Sequence, residues 1–257
     1  MFKTVGFIGG GRVTRIILSE FKRKGLKFDK IVVSDISLEN LEKLKAGFPD
    51  ICIAHNDNIQ PSEQQLVFIS LHPPAIINLL KEINNEIKPE SIIVSLAPKI
   101  TIAKIRAELN GFSRIARMIP NAPSIIGAGF NPVSFSEGLL LREKEELDSV
   151  FSVLGFAPEV PEEKLEAYAI LTAMGPTYFW FQLYELKSIA EDFGLTKEEA
   201  EEGIKSMMEG TLRTMFSDMT PQEVMDLVPV RPLGEDEEII KGIFRSRLPQ
   251  VFNRIRP

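Results

Sequence analysis

The chain has 257 residues, 44% hydrophobic and 26% charged, with 17 glycines and 17 prolines. This ordinary globular composition excludes disordered and fibrous classes and allows one to two domains. A formal net charge of −6, with no polybasic tract, argues against nucleic acid as a partner.

One cysteine, Cys52, and two histidines, His55 and His72, leave no intrachain disulfide and too few ligands for an ordinary zinc site. We therefore expect a cytoplasmic protein without a metal. No window is apolar over the roughly 20 residues that a spanning helix needs. Glycines break the N-terminal apolar run too early for a signal peptide.

Thr4–Ile8 reads as a short buried strand ending in Gly9-Gly10-Gly11. Apolar Ile16, Ile17 and Phe21 at helical spacing predict a helix over 13–24, ended by Gly25. A β-branched run at 31–33 closes at Ser34-Asp35, and a helix is expected over 38–46. Further apolar runs at 51–54, 66–71 and 91–96 alternate with helices over 75–87 and 101–109. This alternation predicts βαβ units and a mostly parallel sheet buried on both faces.

Beyond 158–163 no further strand is expected. Pro176–Asp192 is a long helix ended by Gly194. Thr196 and Glu199 form a capping box opening a helix to about Phe216. Thr220-Pro221-Gln222-Glu223 repeats the device, and a last helix runs from Glu237 to about Phe252. The expected organisation is α/β: a Rossmann-type dinucleotide-binding domain over 1–161, then an all-α domain over 162–257. Tyr178, Phe179, Trp180, Phe181, Leu183, Tyr184 and Leu186 surround their helix almost completely with apolar or aromatic surface. Such a helix must be covered on all sides, by its own neighbours or by a second copy. The small domain encloses it poorly alone, so a homodimer through these helices is expected.

Gly9 and Gly11 match the first two glycines of GxGxxG, and Thr14 stands at the third position. Gly9 permits the tight turn, and Gly11 lets the backbone of the following helix, from Arg12 and Val13, approach a pyrophosphate. Thr14 either widens the helix–strand packing or offers a hydroxyl to phosphate. Asp35, ending the next strand, can accept from both ribose hydroxyls and would repel a 2′-phosphate. No Arg or Lys follows within several residues. The cofactor is thus NAD or NADP, with NAD favoured; alternatively Asp35 only caps the next helix. His72, in Leu71-His72-Pro73-Pro74, follows a strand end where ligands sit in open parallel sheets. It either lines the cofactor cleft or is a solvated loop histidine. Lys99 offers a similar choice between an acidic ligand and a plain surface lysine.

The segment from Arg117 through Pro120-Asn121-Ala122-Pro123 to Gly127-Ala128-Gly129 resembles the RxMPNxPxxxGxG signature of pyrroline-5-carboxylate reductases. The N-terminal Gly-Phe-Ile-Gly-x-Gly and Gly175-Pro176-Thr177-Tyr178 also resemble that family, and the likeness runs from residue 4 to about 248. It implies a Rossmann domain, a helical dimerisation domain, dimers that often assemble into rings, and a nicotinamide cofactor that reduces a cyclic imine. By this likeness Gly9 and Gly11 hold the pyrophosphate and Asn56 contacts the adenosine side. His72-Pro73 stands where the family has Lys-Pro beside the cofactor. Pro120-Asn121 forms the nicotinamide and substrate wall.

The family's glycine- and threonine-rich substrate loop is replaced after Asp226-Leu227-Val228 by Pro229-Val230-Arg231-Pro232-Leu233-Gly234, with acids at Glu235, Asp236 and Glu237. Prolines donate nothing, and the acids repel a carboxylate. Arg231 either replaces the loop as a carboxylate clamp or is a solvated loop arginine. Hydride transfer to an iminium needs position and dryness more than a strong acid. Asn121, Thr172 and Tyr178 are the candidate catalytic residues, and Tyr178 has packing as its alternative role. The expected activity is NAD(P)-dependent reduction of a small imine, with the substrate altered. The alternatives are a dinucleotide sensor without turnover and a deazaflavin-using reductase.

Overall fold

The computed structural model describes residues 2–257. The chain divides into two compact units, Met1–Met174 with Val251–Pro257, and Gly175–Gln250. The expected boundary near 161 falls inside the first unit, just before a 3-10 turn at Glu162–Lys164.

The first unit begins β1 (Thr4–Ile8), α1 (Arg12–Lys24), β2 (Lys30–Asp35), α2 (Leu38–Gly47), β3 (Cys52–His55), the short α3 (Ile59–Ser62), β4 (Leu66–Ile69), α4 (Pro73–Ile83), β5 (Ile92–Ser95) and α5 (Ile102–Glu108). It continues with β6 (Ile115–Met118), β7 (Gly129–Phe130), β8 (Val133–Phe135), α6 (Leu141–Phe151), β9 (Gly155–Phe156) and α7 (Leu165–Tyr168). The main sheet runs β3-β2-β1-β4-β5-β6-β8. Only β8 is antiparallel, pairing β6 with Met118 opposite Val133. β7 and β9 form a separate parallel pair.

The central strands β1, β4 and β5 are mostly apolar because both faces are covered, and their period of two sends alternate residues to two cores. Val5, Phe7, Leu66, Phe68 and Val94 join the core with α1 and α2. Ile8, Val67, Ile69 and Ile93 join the core with α4 and α5. Phe7 and Phe68 stack across β1 and β4 with ring centroids 4.9 Å apart. The reversal of strand order between β1 and β4 opens a crevice at their carboxyl ends.

Two details differ from the sequence expectation. The helix expected over 75–87 starts at Pro73 and stops at Ile83, because proline at the first helical positions gives up only an amide that has no partner there. The strand β6, the edge strand β8 and α6 were not anticipated. β6 carries a charged residue in an apolar run, β8 is three residues long, and α6 is mostly polar.

The charged residue is Arg117, the largest fully buried side chain. Its Nη1 donates to Glu162 Oε1 at 2.8 Å, and its Nη2 donates to Glu166 Oε1 at 2.6 Å. Glu166 also accepts the Lys99 amide at 2.9 Å, and Glu162 accepts the Ile102 amide at 2.7 Å. One buried cation therefore ties β6, the turn after β5, the start of α5 and the 162–166 segment together.

The second unit holds α8 (Pro176–Asp192), α9 (Lys197–Met215), α10 (Pro221–Asp226) and most of α11 (Glu237–Ile255). Both anticipated capping boxes are formed. The Thr196 and Thr220 hydroxyls accept the amides of Glu199 and Glu223, whose carboxylates accept the threonine amides in return. Those backbone hydrogen bonds hold both carboxyls below the usual carboxylate range. Among the described residues, Ala200 carries the only buried side chain of this unit. Phe181 and Tyr184 are 67% and 74% exposed.

Glu166→Ala would leave part of a buried guanidinium unpaired. We expect it to lower the unfolding free energy by about 3–5 kcal/mol, read from urea denaturation. The capping carboxylates favour their charged form in the fold, so their contribution is present at neutral pH and fades as pH falls through their lowered values. Far-UV circular dichroism should show a loss of helix on acidification that is smaller in a Thr196→Ala/Thr220→Ala variant.

Candidate active site

The glycine turn between β1 and α1 is held from three sides. Gly9 has φ +106°, and a Cβ there would lie 2.6 Å from the Ser70 carbonyl oxygen beyond β4. Its amide donates to the Ser34 carbonyl at 2.8 Å. Its carbonyl accepts the hydroxyl of the fully buried Thr14. The Thr14 hydroxyl thus staples the turn and is not turned toward a phosphate, which removes one of its two expected uses. Gly11 differs from Gly9. Its φ is −80°, and a Cβ would meet nothing within 4 Å, so packing does not require glycine there.

Gly11 caps α1 without a side-chain hydrogen bond, and the first turn carries no acid. The amides of that turn, including those of Arg12 and Val13, are left for an anion. The Arg12 side chain is exposed, whereas Val13 packs against the core. A cavity of about 600 Å³ opens beside Gly10 and Gly11 and is lined further by Arg12, Arg15, Ser19, Asn40, Lys43 and His72. His72 stands there as the exposed N-cap of α4, with Pro73 at the first helical position.

Asp35 is half-buried at the end of β2. Its Oδ2 accepts the Gly10 amide and its Oδ1 the Ser37 amide, both at 2.8 Å. The carboxylate thus stitches β2 to the glycine turn and starts α2. Asn56, exposed at the end of β3 with φ +51°, donates its amide to the Asp35 carbonyl at 3.0 Å. It does not line the cavity.

Pro120 and Asn121 follow β6. Ile119 stands at the methionine position of the resembled signature. Asn121 is buried, and its side chain is committed to the protein. Oδ1 accepts the Phe130 amide at 3.2 Å, and Nδ2 donates to the Thr172 carbonyl at 3.2 Å. Its own amide donates to Asn131 Oδ1 at 3.1 Å. Thr172 lies in a π-helical turn, Ala169–Ala173, and its hydroxyl donates to the Tyr168 carbonyl at 2.9 Å. Two of the three candidate catalytic residues therefore touch, Asn121 and Thr172. The third, Tyr178, belongs to the second unit, where its ring meets Phe244 edge-on at 5.7 Å. Burial raises its hydroxyl pKa, so it keeps its proton at neutral pH.

Lys99 is exposed and has φ +75°. Arg231 donates to Glu237 at the start of α11, which engages the guanidinium that a carboxylate clamp would need. Arg15, Ser19, Asn40 and Lys43 were not anticipated. No local pattern marks them, because the cavity forms only where α1 and α2 lie side by side. Among the described residues no three His, Cys, Asp or Glu side chains converge on a metal position, and no helix is long and apolar enough to cross a membrane.

A family model described as NADP oxidoreductase, coenzyme F420-dependent, matches residues 4–99. Over 255 residues the chain is 23% identical to a pyrroline-5-carboxylate reductase of Pseudomonas aeruginosa, covering 97% of this chain and 93% of that one. The solved pyrroline-5-carboxylate reductase of Coxiella burnetii matches with a TM-score of 0.69 at 26% identity, over 99% of this chain and 94% of that one. The Streptococcus pyogenes enzyme matches with a TM-score of 0.80 at 17% identity, over 98% of both chains. The turn at Gly9–Gly11, the Pro120-Asn121 segment and this end-to-end likeness agree: the chain is similar to pyrroline-5-carboxylate reductases over nearly its whole length.

Proposed function

We propose that this chain is an NAD(P)H-dependent reductase that delivers hydride to the C=N bond of a small imine, and that it works as a cytoplasmic homodimer. The observation that carries the reading is the N-terminus of α1. It is uncapped and free of acids, sits at the switch point of the sheet, and has open space where Gly11 lacks a Cβ.

A nicotinamide dinucleotide, when bound, supplies the hydride. The chain supplies the position. The first-turn amides of α1 hold a pyrophosphate, while Gly9 and Asp35 keep those amides aimed. Arg12 and His72 add donors at the cavity wall. The Pro120-Asn121 turn, tied to Thr172, walls the adjoining part of the cleft. An iminium already carries the charge that activates it, so no strong acid is demanded of the chain. Tyr178, which keeps its proton, is the candidate proton donor. The acidic, proline-rich loop over 229–237 points to an imine other than pyrroline-5-carboxylate. A second reading, reduction with a deazaflavin, is favoured by the description of the family model matching residues 4–99.

The homodimer follows from the second unit. Helices in which, among the described residues, Ala200 alone has a buried side chain present more apolar surface than a monomer normally leaves in water. A second copy laid on α8 and α11 would cover it.

Steady-state assays with an imine panel and NADH or NADPH test the reading. We expect turnover with at least one imine. Robust proline formation from pyrroline-5-carboxylate would overturn the altered substrate. A visible deazaflavin absorbance in the purified protein would favour the second reading. Gly11→Ala should keep its melting temperature and lose most nucleotide-induced stabilisation, which for the unmodified chain at 100 times Kd is about 2.7 kcal/mol. Gly9→Ala, by contrast, should itself destabilise by about 1–3 kcal/mol, because it forces a side chain into positive φ. Light scattering should give twice the 28.8 kDa chain mass. A monodisperse monomer would sink the dimer.

A further inference from the structure

The turn that follows β5 is held more firmly than an exposed loop requires. Lys99 has φ +75°, a conformation that a residue with a Cβ keeps only where its surroundings impose it. Two buried groups impose it here. Arg117 Nη2 donates to the Ala97 carbonyl at 3.4 Å, and Glu166 Oε1 accepts the Lys99 amide at 2.9 Å. Pro98, between those two contacts, has its own φ fixed by its ring. Ala97 and Ile100 anchor the turn in the core, and Arg117 and Glu166 are themselves fully buried. A buried ion pair thus sets the backbone of one exposed lysine. Among the described residues no carboxylate pairs with the Lys99 ammonium.

The place of this lysine indicates what it meets. In a sheet ordered β3-β2-β1-β4-β5-β6-β8, the adenosine half of a dinucleotide lies on the β1–β2 side of the switch point. The reacting end and its substrate then lie beyond β4, at the carboxyl ends of β5 and β6. Lys99 follows β5, and Asn121 follows β6. Both are tied to one helical stretch, Lys99 through Glu166 and Asn121 through the Thr172 carbonyl. Six residues of helix span about 9 Å, the scale of a small cyclic molecule. The 229–237 loop is a poor carboxylate binder, with acids at its end and Arg231 already paired to Glu237. We propose that Lys99 determines substrate specificity: its ammonium binds the carboxylate of an anionic imine held against the Asn121–Thr172 wall. The inference rests on the reductase reading above and names its substrate class, an imine that carries a carboxylate. An ammonium on a flexible four-carbon stem accepts a carboxylate at more than one distance from the C=N bond, which fits an imine other than pyrroline-5-carboxylate.

The test is steady-state kinetics of the full-length protein with matched cyclic imines that differ only in the carboxylate: 1-pyrroline-2-carboxylate against 1-pyrroline, and 1-piperideine-2-carboxylate against 1-piperideine. We expect kcat/KM to favour the carboxylate-bearing member by at least about tenfold, the strength of one charge-assisted hydrogen bond, and the preference to shrink as salt rises. Lys99→Gly and Lys99→Met should both bring the ratio toward one, through KM for the carboxylate-bearing imine, while Lys99→Arg keeps most of it. Lys99→Gly should melt no lower than the unmodified chain, because glycine adopts φ +75° freely. Equal kcat/KM within each pair, turnover confined to imines without a carboxylate, or a ratio unchanged in both variants overturns the proposal. A loss that appears instead in KM for NADH or NADPH also overturns it, by placing the lysine on the cofactor. So does a loss in Lys99→Gly alone, which a purely backbone role predicts. Turnover of no imine by the unmodified chain overturns the reductase reading itself.

Discussion

Much of this structure depends on a missing methyl group. At Gly9 the chain turns with positive φ while passing within van der Waals contact of the backbone beyond β4. Any Cβ would collide with the Ser70 carbonyl. Because none is present, β1 and β4 stay in register and α1 starts directly above their carboxyl ends. The polar groups around the turn then hold it. The Ser34 carbonyl accepts the Gly9 amide, the Thr14 hydroxyl reaches the Gly9 carbonyl, and Asp35 accepts the Gly10 amide. Every one of these bonds lies within the protein, so the turn is pre-formed before any ligand arrives. Pre-organisation of this kind lets an anion use the α1 amides without an ordering cost.

Arg117 plays the matching part on the other side of the crevice. Burying a guanidinium is costly, and pairing it with two carboxylates recovers most of that cost. The result is a rigid link from β6 to the segment over 162–173. That link carries the Asn121–Thr172 contact, because Asn121 follows β6 directly and Thr172 ends the segment. Asp35 and Asn121 share a lesson here. Polar residues at a strand end look like ligand contacts in the sequence, yet both use their side chains to hold backbone.

The Gly175–Gln250 unit shows how local and non-local forces separate. Its helices are well specified one at a time, by proline at the first turn of α8 and by capping boxes on α9 and α10. Caps satisfy backbone groups at a helix end, but they bury no apolar surface. The aromatic side chains of α8 remain largely in water, and helix stability in proteins comes mainly from packing an apolar face. This unit therefore has secondary structure determined from within and much of its apolar surface left in water.

Read in chain order, the sequence marked the first five strands, the helices α1, α2, α4 and α5 and all four long or capped helices after residue 175, but not the one-turn α3. Periodicity, caps and terminal glycines are short-range signals, and those elements carry them. It did not mark β6, β8 or α6, where a buried charge, a three-residue strand and a polar helix hide the pattern. In the candidate site it marked Gly9, Gly11 and His72, because glycine needs and strand ends are local facts. It also marked Asp35, but only the fold shows which hydrogens occupy that carboxylate. Likewise the cations Arg15 and Lys43 stand well apart in the chain and meet only across the groove between α1 and α2. The sequence by itself determined the elements and the chemistry of the turn. The tertiary structure decided which charges share one cavity, since electrostatic fields depend on distance in space and not on separation along the chain.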